Sequence, residues 1–569
     1  MKNSVSRRDF FKGAGVAAVA AGFTATGAMA WADEEQLTTQ ASLADQYRNA
    51  ADALSAVKGD QLQFRQPEGP VAFEDREISA SEIASTETVD LLVIGAGISG
   101  LMASLRGADL GAKVLCVEKM SKGRACFECF GAVNSKVRPD VDGTSRLKLI
   151  DELHRSAYWR VRPQAINTYV DRSGEATDFW ADILAKGSNG FIITPVEEAP
   201  NTNGMPDIPT ELGFYDTPTL PPDAGVRSGY SGMYVCLEMQ DIAATNYPNL
   251  EIRNSTPAVQ LVQDGSGKVT GAIVKNPDGS YSQIEATKGV ILCTGGYDAN
   301  PDMMKAWVRK EDYISSSTWN PGWGTTGDGH MMGLKVGADM DPIPHPVMNF
   351  RWGNPDSFYD ARVWNPIWYA LNVNPDGKRY VNEDLPFQAV SNAQNAQVNY
   401  GAGCWQIFDS TMLGFDPDEI ALAEEAMAEF EAKGWAHSAS SIQALAEACG
   451  VNAEGLQQTI DTWNASVAAG VDSEFNRFII PDVTLPFTGP TYYALCTNSC
   501  ILATVGGLMI NENCQVTNAQ GQAIPGLYAA GNASGNFFAG NYPRHIPGTS
   551  IGRAITFGYV AADHAVKGA

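Results

Sequence analysis

The chain has 569 residues, 44% of them hydrophobic and 18% charged, enough to bury a large core and to divide into two or more lobes. Its formal charge of −25 repels phosphate-rich surfaces, which excludes nucleic acid and anionic lipid as partners. Past Ala32 no uninterrupted apolar run is long enough to span a bilayer, so the mature chain is expected to carry no transmembrane segment.

At the N-terminus, Ser6-Arg7-Arg8-Asp9-Phe10-Phe11-Lys12 precedes an alanine- and glycine-rich run from Gly13 to Met29, with small residues at Ala28, Ala30 and Ala32. This reads as a twin-arginine (Tat) export signal over residues 1–32. The mature protein is then expected in the periplasm, the cell envelope or outside the cell. Export by this route follows folding, which suits a chain closed around a tightly held cofactor. Residues 33–88 are polar, with two helix-like patches and a mixed linker, and suggest no function.

Val89–Glu118 carries the first chemical signal. Val89-Asp90-Leu91-Leu92-Val93-Ile94 is a strand-forming run that leads into Gly95-Ala96-Gly97-Ile98-Ser99-Gly100, then the apolar-periodic Leu101–Leu110 and a second apolar run, Lys113–Val117, ending on Glu118. Strand, glycine turn, helix, strand and acid is the order of a dinucleotide-binding unit. Gly95 permits the tight turn, Gly97 lets backbone N–H groups approach a pyrophosphate, and Gly100 lets helix and strand pack closely. The helix N-terminus attracts the negative charge. Glu118 is placed to accept hydrogen bonds from a ribose.

Ten cysteines follow no single logic. Cys116 and Cys293 fall within predicted core strands, where a thiol is a small apolar group. Cys126 and Cys129 form one close pair, Cys496 and Cys500 another. Together they offer four thiolates to an iron–sulfur cluster of the [4Fe–4S] type, against the alternative of unconnected packing thiols. Phe130 follows Cys129, which excludes haem attachment there.

Further along, Leu250–Val262 and Val269–Lys275 read as strands joined by the Asp264-Gly265-Ser266-Gly267 turn. Lys288–Cys293 reads as a buried strand ending in Thr294-Gly295-Gly296, whose small residues let a cofactor lie against the backbone. His154, His437 and His564 sit in helical, polar surroundings and read as surface residues. His330 and His345 fall in the cap or its junction, where they could approach substrate or simply sit in loops.

Five segments occur in one order: the Gly95–Glu118 unit, Ile291–Tyr297, Thr326–Gly333, Asp376–Glu383 and Gly526–Asn532. The series resembles the flavoprotein family of soluble fumarate reductases and 3-ketosteroid dehydrogenases, and within it a branch of Tat-exported reductases that includes cardiac glycoside reductase. The resemblance implies an α/β fold: a Rossmann-like FAD-binding domain from residues 89–300 and 487–569, with an inserted α+β capping domain at 301–486. FAD would meet Gly95, Ala96, Gly97, Ser99 and Gly100 at its phosphates, and also Glu118, Lys119, Arg124, Ala125 and Ala258. Thr294, Gly295 and Gly296 would support it from the middle of the chain. Gly531, Asn532, Ser550 and Ile551 would support it from the C-terminal segment, the last two opening a helix whose dipole favours the anionic reduced ring.

Fumarate reductases of this family use an arginine after the cap's Asn-Glu, where this chain reads Asp384-Leu385-Pro386-Phe387, and histidines before a Thr-x-Gly-Gly, where it has Leu502 and Ala503. A dicarboxylate needs paired cations in a desolvated pocket, so fumarate is not the expected substrate. The segment Asn541–Tyr559 is instead similar to the ketosteroid dehydrogenase region in which a tyrosine hydroxyl and a glycine N–H grip a ketone. Carried over, these are Tyr542 and Gly548. Two donors at a carbonyl oxygen stabilise the enolate formed when a conjugated C=C accepts hydride. A second acid must protonate the neighbouring carbon, with Arg544, His545 and the cap's Tyr369 as candidates.

The expected partners are a small unsaturated substrate and a separate electron donor, either a membrane protein or a cytochrome, since the chain shows one dinucleotide site and no haem motif. The expected function is reduction of a conjugated C=C bond in anaerobic respiration. A ketosteroid-type dehydrogenase working oxidatively, or a flavin electron-transfer protein, are the alternatives.

Overall fold

The computed structural model describes residues 76–123, 125, 129–139, 146–195, 211–215, 232–318, 324–353, 361–385, 387–539, 541–543, 546 and 548–568. The expected export signal lies outside the described residues, as do Arg124, Cys126, Arg544 and His545.

The first strand is Ile83–Ile94, longer at its start than the apolar run alone indicates. Its N-terminal half, Ile83-Ala84-Ser85-Thr86-Glu87-Thr88, is largely exposed, so the strand signal there is the backbone preference of Thr, Ser and Ile rather than burial. It pairs in parallel with Val114–Val117 on one edge and with Tyr281–Leu292 on the other. The sheet runs Gln515–Thr517, Ala523–Ala529, Tyr281–Leu292, Ile83–Ile94, Val114–Val117, Leu250–Arg253, so the C-terminal strands join one edge, separated from Ile83–Ile94 by Tyr281–Leu292. Leu91, Leu92, Val93, Val290, Ile291 and Leu292 are buried on both faces, as strands of a covered parallel sheet must be.

The stretch from Leu250 to Gln263 divides into two strands, Leu250–Arg253 and Ala258–Gln263. Ser255 takes a positive φ of 52° and Pro257 lacks a donor, and together they break the ladder. The hairpin from Ala258–Gln263 to Val269–Lys275 forms on the expected turn, where the Asp264 carboxylate accepts from the backbone N–H groups of Ser266 and Lys268 at 2.8 and 3.1 Å.

A second core stands apart. Leu371–Val373, Trp405–Asp409, Tyr492–Cys496 and Ala436–Ala439 make a four-stranded sheet covered by helices Pro417–Ala432, Ile442–Cys449 and Ala453–Ala469. Each helix starts on a side-chain cap, from Asp416, Ser441 and Asn452 in turn. The last two end on left-handed Gly450 and Gly470. Trp435, Trp463, Phe408 and Phe430 fill the interior. Arg379 is buried beneath it and is neutralised by Glu383 and Asp472, with Nη2 to Glu383 at 2.7 Å and Nη1 to Asp472 at 3.0 Å. Because Tyr492–Cys496 belongs to this sheet, the cap extends ten residues past the 486 boundary that the sequence suggests.

The chain returns through Asn498–Thr504, the central strand of a three-stranded sheet between Ser316–Thr318 and Val347–Gly353. Among the described residues no helix is long and apolar enough to cross a membrane.

Candidate cofactor and active site

The glycine turn is built as the sequence implies. Gly95 has φ 101°, and a Cβ there would fall 2.3 Å from the Cys293 carbonyl oxygen. Gly97 caps the helix Ile98–Asp109, and a Cβ on Gly100 would fall 1.8 Å from the Gly95 oxygen. Backbone N–H groups are thereby left facing outward at a helix N-terminus, where phosphates bind. Glu118 ends the second strand and is held by the Ala96 and Met120 N–H groups, each at 2.8 Å from one carboxylate oxygen. Ala96 is thus tied to the acid that the ribose would meet. Lys119 donates to Thr326 at 2.6 Å and pairs with Asp328 at 2.9 Å, joining this strand to the helix Asp328–Lys335. Ala125 packs partly buried against the flavin-lobe core, and Ala258 is buried close by. The Thr256 N–H donates to the Glu118 carbonyl at 2.8 Å.

The opposite wall comes from three distant segments. Thr294-Gly295-Gly296 leaves the strand Tyr281–Leu292, and the next N–H, that of Tyr297, donates to Thr504 Oγ1 at 2.8 Å. A Cβ on Gly296 would fall 2.3 Å from that same oxygen, so only glycine admits the crossing. Asn532 follows Gly531 in a short turn against Ser99 of the phosphate helix. Arg553, fully buried in the final helix Thr549–Lys567, donates to the Gly531 carbonyl at 3.1 Å and to Asn532 Oδ1 at 2.9 Å. Two polar atoms in this wall are buried without a partner, Thr294 Oγ1 and Arg553 Nε. A cradle of close-packed glycines, a helix N-terminus and unmet polar atoms fits a bound dinucleotide. Of the residues named for FAD, Arg124 lies outside the described residues.

Ser550 and Ile551 open the final helix. The Ser550 N–H donates to the Tyr542 hydroxyl oxygen at 3.3 Å, and Tyr542 is buried with its ring 5.3 Å from Phe538. Gly548, at φ 70°, caps the same helix, and its carbonyl accepts from the Gly131 N–H at 2.8 Å. Tyr542, Gly548, Ser550 and Ile551 thus share one helix end. Tyr369 lies elsewhere: it is buried in the cap core, its ring 6.3 Å from Phe415.

Several further polar groups are buried in this part of the molecule. Tyr169, on the helix Pro163–Leu184, is fully buried with no partner for its hydroxyl, and its titration is pushed up by burial and then by Tyr542 nearby. His345 is buried between the Tyr297 hydroxyl at 2.7 Å and the Asp341 carbonyl at 2.8 Å. His330 donates toward the Gly506 carbonyl at 3.2 Å, and burial lowers its pKa to about 4. Burial raises Asp298 to about 7 even though Thr325 donates to it. His154, expected on the surface, is buried and stacked 4.8 Å from Trp159, because an exposed tryptophan folds back over it. Arg553 reads in the sequence as an arginine within the final helix, serving packing or the cofactor rather than catalysis.

Of the four paired cysteines, Cys129 precedes the strand Phe130–Gly131 of the flavin lobe, Cys496 ends a cap strand, and Cys500 lies in the linking sheet. Burial pushes the Cys496 thiol up to about 12, far from thiolate. Among the described residues no group of three or more His, Cys, Asp or Glu could hold a metal ion. Cys116 and Cys293 are core residues, both held as thiols by burial, Cys293 at about 12.

The family described as FAD binding domain matches residues 90–548, and the chain belongs to it. Fumarate reductase (cytochrome) of Shewanella frigidimarina is 26% identical over 516 residues, covering 87% of this chain and 80% of that protein. Urocanate reductase of Eggerthella lenta is 28% identical over 487 residues, covering 84% and 75%. The solved 3-ketosteroid delta1-dehydrogenase from Sterolibacterium denitrificans aligns with a TM-score of 0.71 at 21% identity, over 84% of this chain and 99% of that one, a likeness of fold. The α/β flavin lobe with an inserted cap follows the same plan. The protein is an FAD-dependent oxidoreductase of the kind that acts on CH–CH groups.

Proposed function

We propose that the protein is an exported reductase of a conjugated C=C bond in a small organic acceptor, an enone of steroid-like or aromatic character, serving anaerobic respiration with electrons from a separate membrane protein or cytochrome. FAD, held by the glycine turn and the Thr294–Gly296 and Gly531–Asn532 segments, supplies hydride. The observation that carries the reading is the hydrogen bond from the Ser550 N–H to the Tyr542 hydroxyl at the start of the final helix, which Gly548 caps. The Tyr542 hydroxyl and the Gly548 N–H would be the two donors to the substrate's carbonyl oxygen. The helix dipole adds to both. Protonation of the neighbouring carbon falls to Arg544 or His545, four and three residues before Gly548.

Fumarate fits less well. His345 lies against Gly506 of the Thr504–Gly507 segment, but both its ring nitrogens are engaged, by the Tyr297 hydroxyl and the Asp341 carbonyl. Neither is left for a substrate carboxylate. Tat export, expected from Arg7 and Arg8, agrees with this role.

The test is anaerobic purification, a visible spectrum, assay of iron and labile sulfide, and a screen of enones and fumarate with reduced viologen. Flavin absorbance and turnover of an enone are the expected result. Reduction of fumarate alone would overturn the reading, and saturated 3-ketosteroid oxidation with an artificial acceptor as the faster reaction would reverse its direction.

A further inference from the structure

Arg553 stands out as a buried cation with no anion on it. It is fully buried, and among the described residues no carboxylate lies within ion-pair distance. Its guanidinium is held by neutral groups only: Ser534 O at 3.3 Å, Gly531 O at 3.1 Å and Asn532 Oδ1 at 2.9 Å, with the Phe538 and Phe537 rings 4.7 and 5.6 Å from Cζ. Among the described residues Nε has no partner. Asp341, beyond ion-pair distance and accepting from the Gly507 and Asn536 N–H groups at 3.1 and 2.8 Å, acts on the guanidinium only at longer range. Burial draws the guanidinium down to about 10, the direction expected of a charge that lacks compensation. A buried, unpaired charge is destabilising, so its retention calls for an anion that arrives later.

The position says which anion. Arg553 follows Ser550 by one helical turn, near the end of the helix where the Ser550 N–H meets the Tyr542 hydroxyl. It also fastens the Gly531–Asn532 turn on which the cofactor rests. We propose that Arg553 is a positioning residue whose charge compensates the negative charge that the flavin ring gains on reduction, so that this arginine sets the reduction potential of the bound FAD. The inference rests on the ring lying at the Tyr542 end. It does not depend on which alkene is reduced, because potential and FAD affinity are read without substrate.

The experiment compares the holoprotein with Arg553→Gln, Arg553→Lys and Asn532→Asp, measuring the two-electron potential by dye equilibration and the affinity of each apoprotein for oxidised FAD. Arg553→Gln is expected to weaken reduced FAD relative to oxidised FAD at least tenfold, a fall of about 30 mV. Arg553→Lys keeps the charge and should change that ratio less than threefold. Asn532→Asp neutralises the arginine in place and should lower the potential in the same direction as Arg553→Gln, which keeps the proposal testable should that variant fail to fold. An unchanged potential in the folded neutralising variants overturns it. So does equal weakening of both redox states, which would assign the arginine to the pyrophosphate or to the turn alone.

Discussion

Tyr542→Phe deletes one oxygen and keeps the ring that packs 5.3 Å from Phe538. On the proposed function the loss is one of two donors to the developing oxyanion, and turnover of the enone should fall ~100-fold or more. The FAD content of the purified variant should be unchanged, which separates a catalytic loss from a structural one. Turnover within threefold of wild type would remove Tyr542 from the chemistry. Glu118→Ala tests the other end of the site. The variant leaves the Ala96 and Met120 N–H groups without their acceptor and takes the ribose partner away, so the protein should be purified with little FAD and regain flavin absorbance only on adding excess cofactor. The two variants should therefore fail differently, one full of flavin and slow, the other empty.

At the scale of elements, the cap stands on its own core and its own helix signals, and damage to one should stay local. The Asn452 side chain accepts from the Gly455 N–H at 2.7 Å and starts the helix Ala453–Ala469, whose Trp463 is fully buried in the cap core. Asn452→Ala should cost about 1 kcal/mol of cap stability. In hydrogen exchange, protection should fall across Ala453–Ala469, while the parallel strands Ile83–Ile94 and Tyr281–Leu292 keep theirs. These local signals are what made much of the fold legible. The Gly95–Glu118 unit is short-range chemistry, with turn, helix and acid fixed by neighbouring residues, and the Asp264–Gly267 hairpin is the same. The wall built from Thr294, Thr504, Gly531 and Arg553 was legible only in part, because it joins segments more than two hundred residues apart and no periodicity reports such a meeting. The cap boundary was displaced for a related reason. Tyr492–Cys496 is half-buried and reads like any edge of the flavin lobe, and only its ladder to Trp405–Asp409 and Ala436–Ala439 assigns it to the cap.

Over the whole molecule, the region joining flavin lobe to cap buries groups that titrate in opposite senses, and the dependence of stability on pH follows from their sum. Asp298 is raised to about 7 by burial, against an ordinary value near 4 in the unfolded chain. Between those values the folded protein binds the extra proton, so this group's contribution is fully present at low pH and is lost as pH rises to 7. His330 is lowered to about 4, also by burial, against about 6.5 when unfolded. There the unfolded chain binds the extra proton, so stability increases as pH rises from 4 to 6.5. The two windows overlap and the two slopes oppose each other, which flattens the combined curve. Asp298→Asn keeps a carbonyl oxygen to accept from the Thr325 hydroxyl, a bond of 2.9 Å in the native protein, and removes the ionisable group. The variant should melt at the same temperature as wild type near pH 4 and progressively higher than wild type as pH rises to 7, the gap levelling off beyond. His330→Asn should do the reverse, with its largest advantage at pH 4 and none at pH 7. Melting curves of both holoproteins at half-unit intervals of pH decide the matter, since a gap for Asp298→Asn that fails to grow with pH would mean the Asp298 carboxylate is ionised in the folded protein throughout.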